Sequence, residues 1–253
     1  MGDEQQQFGK ERFWQAASRV VDRVVQTQGD AIHRGAVIFA DCIEHDGIIH
    51  PFGTGHSRAF AMELAGRAGG LMPFNKMDMV DLIVQSAWDP QRVMSPNIEH
   101  EAEAGRALLA CQHIDPQDAF IIASNSGVNE AIIEVAQWIK DNGHPLVAVT
   151  SLEHSNHVHP RHPSGKRLYE LADVVIDNCG PLGDALLELP DGSKACSISS
   201  ITGALIAQML AAETIGLLIA HGQEIPVRIS ANTPGGKEHN ELLRARYSGR
   251  VRS

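Results

Sequence analysis

The sequence has few cysteines, a deficit of basic residues and little uninterrupted apolar sequence, and each shortage excludes a class of protein. Its four cysteines lie far apart and form no CxxC pair, so neither a zinc ribbon nor a disulfide framework is predicted. Lysine and arginine total 21 against 31 acidic residues, a net charge of −10. That balance argues against a nucleic-acid partner, because phosphate backbones need a concentrated basic face. An anionic small ligand would need a local cradle.

The sequence also lacks the apolar pattern expected of a signal peptide or a membrane-spanning helix. The start, MGDEQQQFGKERF, is polar and lacks the apolar stretch of a secretory signal. One apolar run is long, SSITGALIAQMLAAETIGLLIA at 199–220, but Gln208 and Glu213 interrupt it. We therefore predict a buried or dimer-interface helix there, and a soluble, cytoplasmic protein with no membrane partner.

Short apolar runs alternate with helical patterns along most of the chain. The runs lie at 47–52, 119–123, 146–149 and 173–176. This alternation is typical of a parallel sheet covered by helices on both faces, so the predicted class is α/β. We expect a single domain over 1–253, with an N-terminal helical arm at 1–46, the α/β core at 47–223 and a tail at 224–253. Within the arm, Gly29 and Gly35 are predicted to break the helical pattern into two helices.

The first candidate site is a glycine-serine turn, FGTGHS, at the end of the first apolar run. Ligands of open parallel sheets bind at the carboxyl ends of strands, where helix N-termini offer free backbone N–H groups. Gly53 and Gly55 let the backbone approach a ligand, and Ser57 adds a hydroxyl. The turn is not the dinucleotide fingerprint, because Arg58 stands where GxGxxG needs its third glycine. By itself, such a turn fits a plain strand-to-helix corner equally well.

Two further strand ends carry hydroxyl groups. Ser124, Asn125 and Ser126 follow AFIIA, and they exceed what a helix cap needs, since one Ser or Asn suffices for capping. Thr150 and Ser151 follow LVAV. Three such turns at one sheet edge predict a shared crevice for a phosphoryl group, which a nest of backbone amides holds with little cationic help.

These segments make the sequence recognisable. FGTGHS, together with AFIIASNSGVNEAIIEVAQWIKDNGHPLVAVTS, resembles the SIS (sugar isomerase) family of phosphosugar-binding domains from about 47 to 222. EHSNHVHPRHPSGKRLYELADVVIDNCGPLGDA and SANTPGGKEHN are similar to one bacterial branch of that family. The resemblance supplies no established reaction for that branch.

The resemblance implies a fold and a site. It implies a flavodoxin-like, three-layer α/β/α sandwich with a five-stranded parallel sheet, and subunits paired as a homodimer or homotetramer with the site at the subunit boundary. A phosphorylated sugar is the implied ligand, and we predict no cofactor. Its predicted binding residues are Gly53, Gly55, His56, Ser57, Ser124, Asn125, Ser126, Thr150 and Ser151.

Aldose–ketose isomerisation needs a base for the proton and a polar group for the oxygen. His56 lies within the first turn, and Glu63 lies on the following helix, although each also fits an ordinary structural role. Glu238 and His239 follow Gly235–Gly236 and are predicted to form a lid, either over this pocket or over a neighbour's.

The acidic segment EHEAEAG offers another candidate base. An acidic first helical turn is ordinary complementation of the helix dipole, and that interpretation is preferred for Glu99 and Glu103. Glu101 is singled out because the resembled branch often has a glutamate four residues before a glycine, here Gly105. Glu101 or Glu238 is thus the predicted base, with His56 or His239 as its partner.

Four histidines lie in one loop, HSNHVHPRHP. They lack a cysteine or an HExxH helix to set tetrahedral geometry, so a metal site is not predicted. The leading hypothesis is a metal-independent sugar-phosphate isomerase. The alternatives are a phosphosugar sensor without catalysis and an amino-sugar phosphate lyase or etherase.

Overall fold

A parallel sheet forms the centre of the computed structural model, which describes residues 8–247 and 249–252. Its four strands run in the order β1-β2-β3-β4, and every neighbouring pair is parallel. The strands are β1 Ile49–Gly53, β2 Ala119–Ala123, β3 Leu146–Thr150 and β4 Val174–Asp177. The helices are α1 Lys10–Thr27, α2 Gly29–Glu44, α3 Arg58–Leu64, α4 Asp81–Ser86, α5 Pro90–Val93, α6 Ala102–Ala110, α7 Glu130–Asp141, α8 Leu152–His157, α9 Leu168–Leu171, α10 Ser199–Ala220 and α11 Gly236–Arg246.

Helices cover both faces of this sheet, so the predicted three-layer α/β/α architecture is confirmed. Alternation along each strand sends side chains to opposite faces. In β2, Ile121 packs into one cluster with α1, α2, α3 and α10, while Phe120 and Ile122 pack into another with α6 and α7. The strands are apolar on both faces, which explains their continuous apolar runs.

The predicted fifth strand is not a strand among the described residues. An extended segment, 73–77, occupies its place beside β1 through a single bridge between Ile49 and Phe74. The Ile49 N–H donates to the Pro73 carbonyl at 3.0 Å, and the Met77 N–H donates to the Pro51 carbonyl at 2.9 Å. Pro51 has no N–H to donate back, so the ladder has a gap and the pairing stays short.

The N-terminal arm contains the two predicted helices, but Gly35 does not separate them. The break lies at Gln28, and α2 runs through Gly35 without interruption. A Cβ atom at Gly35 would lie 3.1 Å from a methyl carbon of Leu210. The missing side chain at Gly35 therefore permits close packing of α2 against α10, which explains the glycine at this position.

Helix α10 has the predicted bounds and is apolar on every side. Among the described residues it is the one helix long and apolar enough to cross a membrane by length and composition alone. It packs on α2 and α3, yet only 33% of its most apolar window is buried. Ile201 and Ile219 remain 43% and 63% exposed.

A short antiparallel hairpin, β5 Ala185–Glu188 and β6 Lys194–Ser197, precedes α10. Asp184, at the start of this hairpin, accepts from the Ser199 N–H at 2.8 Å and from the Ser199 hydroxyl at 2.7 Å. Asp184 is not the N-cap residue of α10, but its carboxylate satisfies N–H groups at the start of that helix from the preceding hairpin.

The C-terminal segment packs at the amino-terminal end of the sheet. Leu243, Tyr247 and Val251 form a small cluster with Ile48 and Met72. Arg250 donates to both carboxylate oxygens of Asp118 at 2.7 Å, just before β2 begins. Within one chain, the tail thus lies at the opposite end of the sheet from the glycine-serine turn.

Candidate active site

The first predicted turn is built by two glycines at the end of β1. A Cβ atom at Gly53 would lie 2.5 Å from the Ser57 carbonyl oxygen, so only glycine fits there. Gly55 has a φ of +53°, in the left-handed region that favours glycine. The Ser57 N–H donates to the Thr54 carbonyl at 3.0 Å and closes the turn. This fold-back places His56 and Ser57 over the carboxyl end of the sheet.

The second turn follows the neighbouring strand β2. The Ser124 hydroxyl oxygen accepts from the Gly127 N–H at 3.1 Å, which organises the SNSG loop. Asn125 accepts through its side-chain oxygen from the Asn178 amide at 2.9 Å, so the residue after β4 supports this loop. Since β1 and β2 are adjacent and parallel, the two turns lie side by side.

A crevice opens between these turns and the start of α10. His56, Ser57, Ser124, Asn125, Ser199 and Ser200 line it with hydroxyl, amide and imidazole groups. Phe60 and Val149 supply apolar wall. Hydroxyls and amides at the N-terminus of a long helix are groups that bind phosphate oxygens.

Ser199, Ser200 and Asn178 are crevice residues that sequence reasoning missed. The signal for the serines was present, because SISS opens the apolar helix with three hydroxyls in four residues. It was not used because the helix was interpreted through its apolar length. Asn178 carried no local signal, since it reaches the site only when β4 lies beside β3.

The remaining predicted hydroxyls do not reach this crevice. Thr150 and Ser151 are fully buried. The Thr150 hydroxyl donates to the Asn125 carbonyl at 3.3 Å, and the Ser151 hydroxyl donates to the Gly180 carbonyl at 2.7 Å. Both hydroxyls support the loops, and neither residue lines the crevice.

Ser126 lies on the far side of the SNSG loop. It lines a second cavity with Asn129, His154, His157 and Arg161. Of the predicted loop histidines, His154 accepts from the Gly183 N–H at 2.9 Å and His162 contacts Glu134 at 2.8 Å. Within residues 8–247 and 249–252, no group of three or more His, Cys, Asp or Glu side chains is placed to hold a metal ion.

Four of the five predicted acid-base residues lie away from the crevice. Glu63 forms an ion pair with Arg67 and accepts from the Gln208 amide at 2.7 Å, on the α3–α10 surface. Glu101 accepts from the Arg92 guanidinium at 2.6 Å and 2.9 Å.

Glu238 and His239 lie at the other end of the sheet. They belong to helix α11 rather than to a loop, and the His239 ring donates to the Val227 carbonyl at 2.9 Å. Within one subunit, only His56 of the predicted acid-base set lines the crevice.

A third cavity adjoins the glycine turn and shares His56 with the crevice. Thr54, Arg58, Asp78 and Glu99 are polar residues along its wall. Arg58 contacts the Asp78 carboxylate at 2.6 Å, and Lys76 contacts it at 2.8 Å. Burial raises the pKa of Asp78, but the Lys76 hydrogen bond, a backbone N–H and the nearby cations outweigh it, so the net pKa is lowered. Asp78 is therefore held as a paired carboxylate.

Comparison with known proteins shows the family. The model of the SIS domain matches residues 12–151, more than half of the chain. The chain belongs to the SIS domain family. A UPF0309 protein of Listeria monocytogenes is 40% identical over 240 residues, covering 94% of this chain and 97% of its own length. A UPF0309 protein of Geobacillus kaustophilus is 32% identical over 241 residues, covering 95% and 94%.

Solved SIS-like structures agree with the fold. A phosphoheptose isomerase of Francisella tularensis has a TM-score of 0.52 and 14% identity, covering 81% of this SIS chain and 95% of its own. A phosphoheptose isomerase of Neisseria gonorrhoeae has a TM-score of 0.50 and 15% identity, covering 79% and 94%. At such identities the likeness shows the shared architecture.

Proposed function

We propose that this SIS protein binds a phosphorylated sugar and isomerises it between aldose and ketose forms by acid-base enolisation. The observation that carries the proposal is the crevice between the β1 and β2 turns and the start of α10. Hydroxyl and amide donors from three separate segments converge there on one small volume. The isomerases of similar fold support the choice of reaction.

The phosphate is proposed to occupy the crevice. Ser57, Ser124 and Asn125 provide donors from the two turns, and Ser200 provides a hydroxyl from the start of α10. Because Asp184 already accepts from the Ser199 N–H and hydroxyl, the 22-residue helix α10 contributes the Ser200 hydroxyl and the positive end of its dipole. These neutral donors reconcile an anionic ligand with a chain of net charge −10.

The carbon chain of the sugar is proposed to run past His56 into the adjoining cavity. His56 lines both spaces, so its imidazole lies along that path. An imidazole beside a bound carbonyl can donate a proton to the oxygen as charge develops on it. A carboxylate in that adjoining cavity would then complete the acid-base pair.

Deuterium exchange tests the isomerase proposal. Purified protein is incubated in deuterated water with pentose, hexose, heptose and amino-sugar phosphates, each beside its unphosphorylated sugar. We expect exchange at C2 for one phosphosugar and none for its unphosphorylated partner. Thermal stabilisation without exchange would indicate a sensor, and loss of a C3 substituent would indicate a lyase. Exchange that persists after chelator treatment is expected for a metal-independent enzyme.

A second copy of the chain is proposed to cover the exposed face of α10. A monomer leaves Ile201 and Ile219 in water on a helix that is apolar all round. Burying such a face is favourable by about 25 cal/mol per Å² of apolar surface. Because α10 also begins at the crevice, this pairing would place the site near the subunit boundary, as the family resemblance implies.

A further inference from the structure

The cavity beside the glycine turn contains a carboxylate that the sequence assigned to a helix end. Glu99 lies in a single 3₁₀ turn, Ile98–His100, before α6. Its Oε2 accepts a hydrogen bond of 2.7 Å from the buried Thr54 hydroxyl. A Cβ atom at Gly55 would lie 3.6 Å from the same oxygen, so the carboxylate sits directly over the turn backbone.

Two observations distinguish Glu99 from the other acidic groups near the site. Asp78 is neutralised by Arg58 and Lys76, and Glu101 by Arg92. For Glu99, the part of the chain that the structure describes shows no ion pair with a basic side chain. Among the described residues its side chain is bound by a neutral hydroxyl, that of Thr54, which orients the carboxylate without neutralising it.

The surroundings suit proton transfer from carbon. Met79, Val93, Met94 and Ile98 make up apolar wall of this cavity. Glu99 and His56 also line it, as titratable groups besides the paired Arg58 and Asp78. An apolar wall limits water around the carboxylate and strengthens its interaction with a bound substrate. Gly55 contributes no side chain between Glu99 and the space beside the turn.

We propose that Glu99 is the general base of the isomerisation and that Thr54 is its positioning residue; this inference rests on the proposed function. The Glu99 carboxylate takes the C2 proton of an aldose phosphate, and the C–H electron pair forms the C1=C2 bond of the enediol. The carbonyl electrons move to O1, which is protonated by His56 or water. Glu99 then returns its proton to C1 while the O2 proton passes to the group that protonated O1, His56 or water; this gives the ketose and regenerates both the carboxylate and the acid.

The principal test is Glu99→Gln, which keeps the size and the Thr54 contact but removes the base. We expect C2 exchange to fall by about 100- to 10,000-fold, the usual contribution of a positioned acid or base. Stabilisation by the phosphosugar should persist, because the phosphate is held in the neighbouring crevice. Glu103→Gln is the matched control, since Glu103 is exposed and contacts Arg92. It should exchange at the wild-type rate.

Thr54 is tested by a pair of variants. Thr54→Val removes the hydroxyl at nearly constant volume and should lower kcat with little change in KM, because it leaves the phosphate donors intact. Thr54→Ser restores the hydroxyl and should recover most of kcat. Equal losses in both variants would indicate a packing role and would remove Thr54 as the positioning residue.

The outcomes separate this inference from the proposed function. Wild-type exchange in Glu99→Gln overturns Glu99 as the base while leaving the isomerase intact. Absence of exchange in the wild-type protein overturns both. If Glu99→Gln does not fold by circular dichroism, Glu99→Asp replaces it. Reduced exchange with unchanged phosphosugar stabilisation then supports the base, and an unchanged rate excludes it.

Discussion

At the scale of single residues, the serines near the crevice differ in the other structural roles that their side chains have. Ser57 lines the crevice. Its turn is closed by its backbone N–H, so its hydroxyl is left for a ligand. Ser124 also organises the SNSG loop through Gly127. Ser126 faces the cavity that contains His154 and Arg161. We therefore expect a phosphate in the crevice to depend most directly on Ser57.

A pair of alanine variants decides on which side of the SNSG loop the phosphate binds. We expect Ser57→Ala to weaken phosphosugar binding by about 1–3 kcal/mol, the range for a hydrogen bond to a charged group. Ser126→Ala should have the smaller effect. Isothermal titration with the phosphosugar that exchanges best measures both. The reverse order would place the phosphate in the cavity beside Arg161 and would remove the proposed crevice.

At the scale of elements, the C-terminal segment is held to the sheet by one buried carboxylate. Asp118 accepts from the Ile48 N–H at 2.8 Å and from Arg250 at 2.7 Å, and it contacts the His50 ring at 3.1 Å. Burial raises its pKa, but these hydrogen bonds and the Asp115 N–H outweigh burial and lower the pKa to about 2. The ionised carboxylate therefore links β1, β2 and the tail.

This link predicts a pH dependence of stability. Because the folded-state pKa of Asp118 lies below its unfolded value, its contribution is fully present above about pH 4 and is lost as pH falls toward about 2. A shift of this size corresponds to roughly 2 kcal/mol. Asp118→Asn should lower the free energy of unfolding at pH 7 by at least that amount and flatten its acid dependence. Denaturant titrations at pH 7 and pH 3 measure both, and equal pH dependence in the two proteins would contradict the assignment.

At the scale of the whole molecule, α10 connects the site to the exposed apolar face. Its first residues line the crevice, and its last third carries Ile219, which is 63% exposed. A helix that is apolar on every side is typical of burial, and a single chain buries only part of this one. We expect the missing contact to be a second subunit.

Ile219→Glu tests this expectation. Light scattering after gel filtration should give the mass of at least two chains for the native protein and of one chain for the variant, because a buried unpaired charge opposes association. Leu242→Glu is the control, since Leu242 is exposed on α11 at the other end of the sheet. Its mass should equal that of the native protein. A native mass of one chain would refute the dimer.

The sequence by itself determined the elements whose signal is local. The run AFIIA is strand β2 over the predicted residues, and the apolar stretch at 199–220 is α10 over its predicted bounds. Gly53 and Gly55 marked a true tight turn, because their backbone geometry depends on neighbouring residues alone. Family membership followed from these same local motifs.

Only the tertiary structure decided which side chains meet. Thr150 and Ser126 each follow the pattern of a phosphate-binding hydroxyl, yet one is buried beneath the loop and the other faces away from the crevice. Glu99 and Glu101 are two residues apart, at a single 3₁₀ turn that points their side chains in different directions. Glu99 contacts Thr54, and Glu101 contacts Arg92. Such choices depend on packing between segments distant in sequence, and periodicity along the chain carries no information about them.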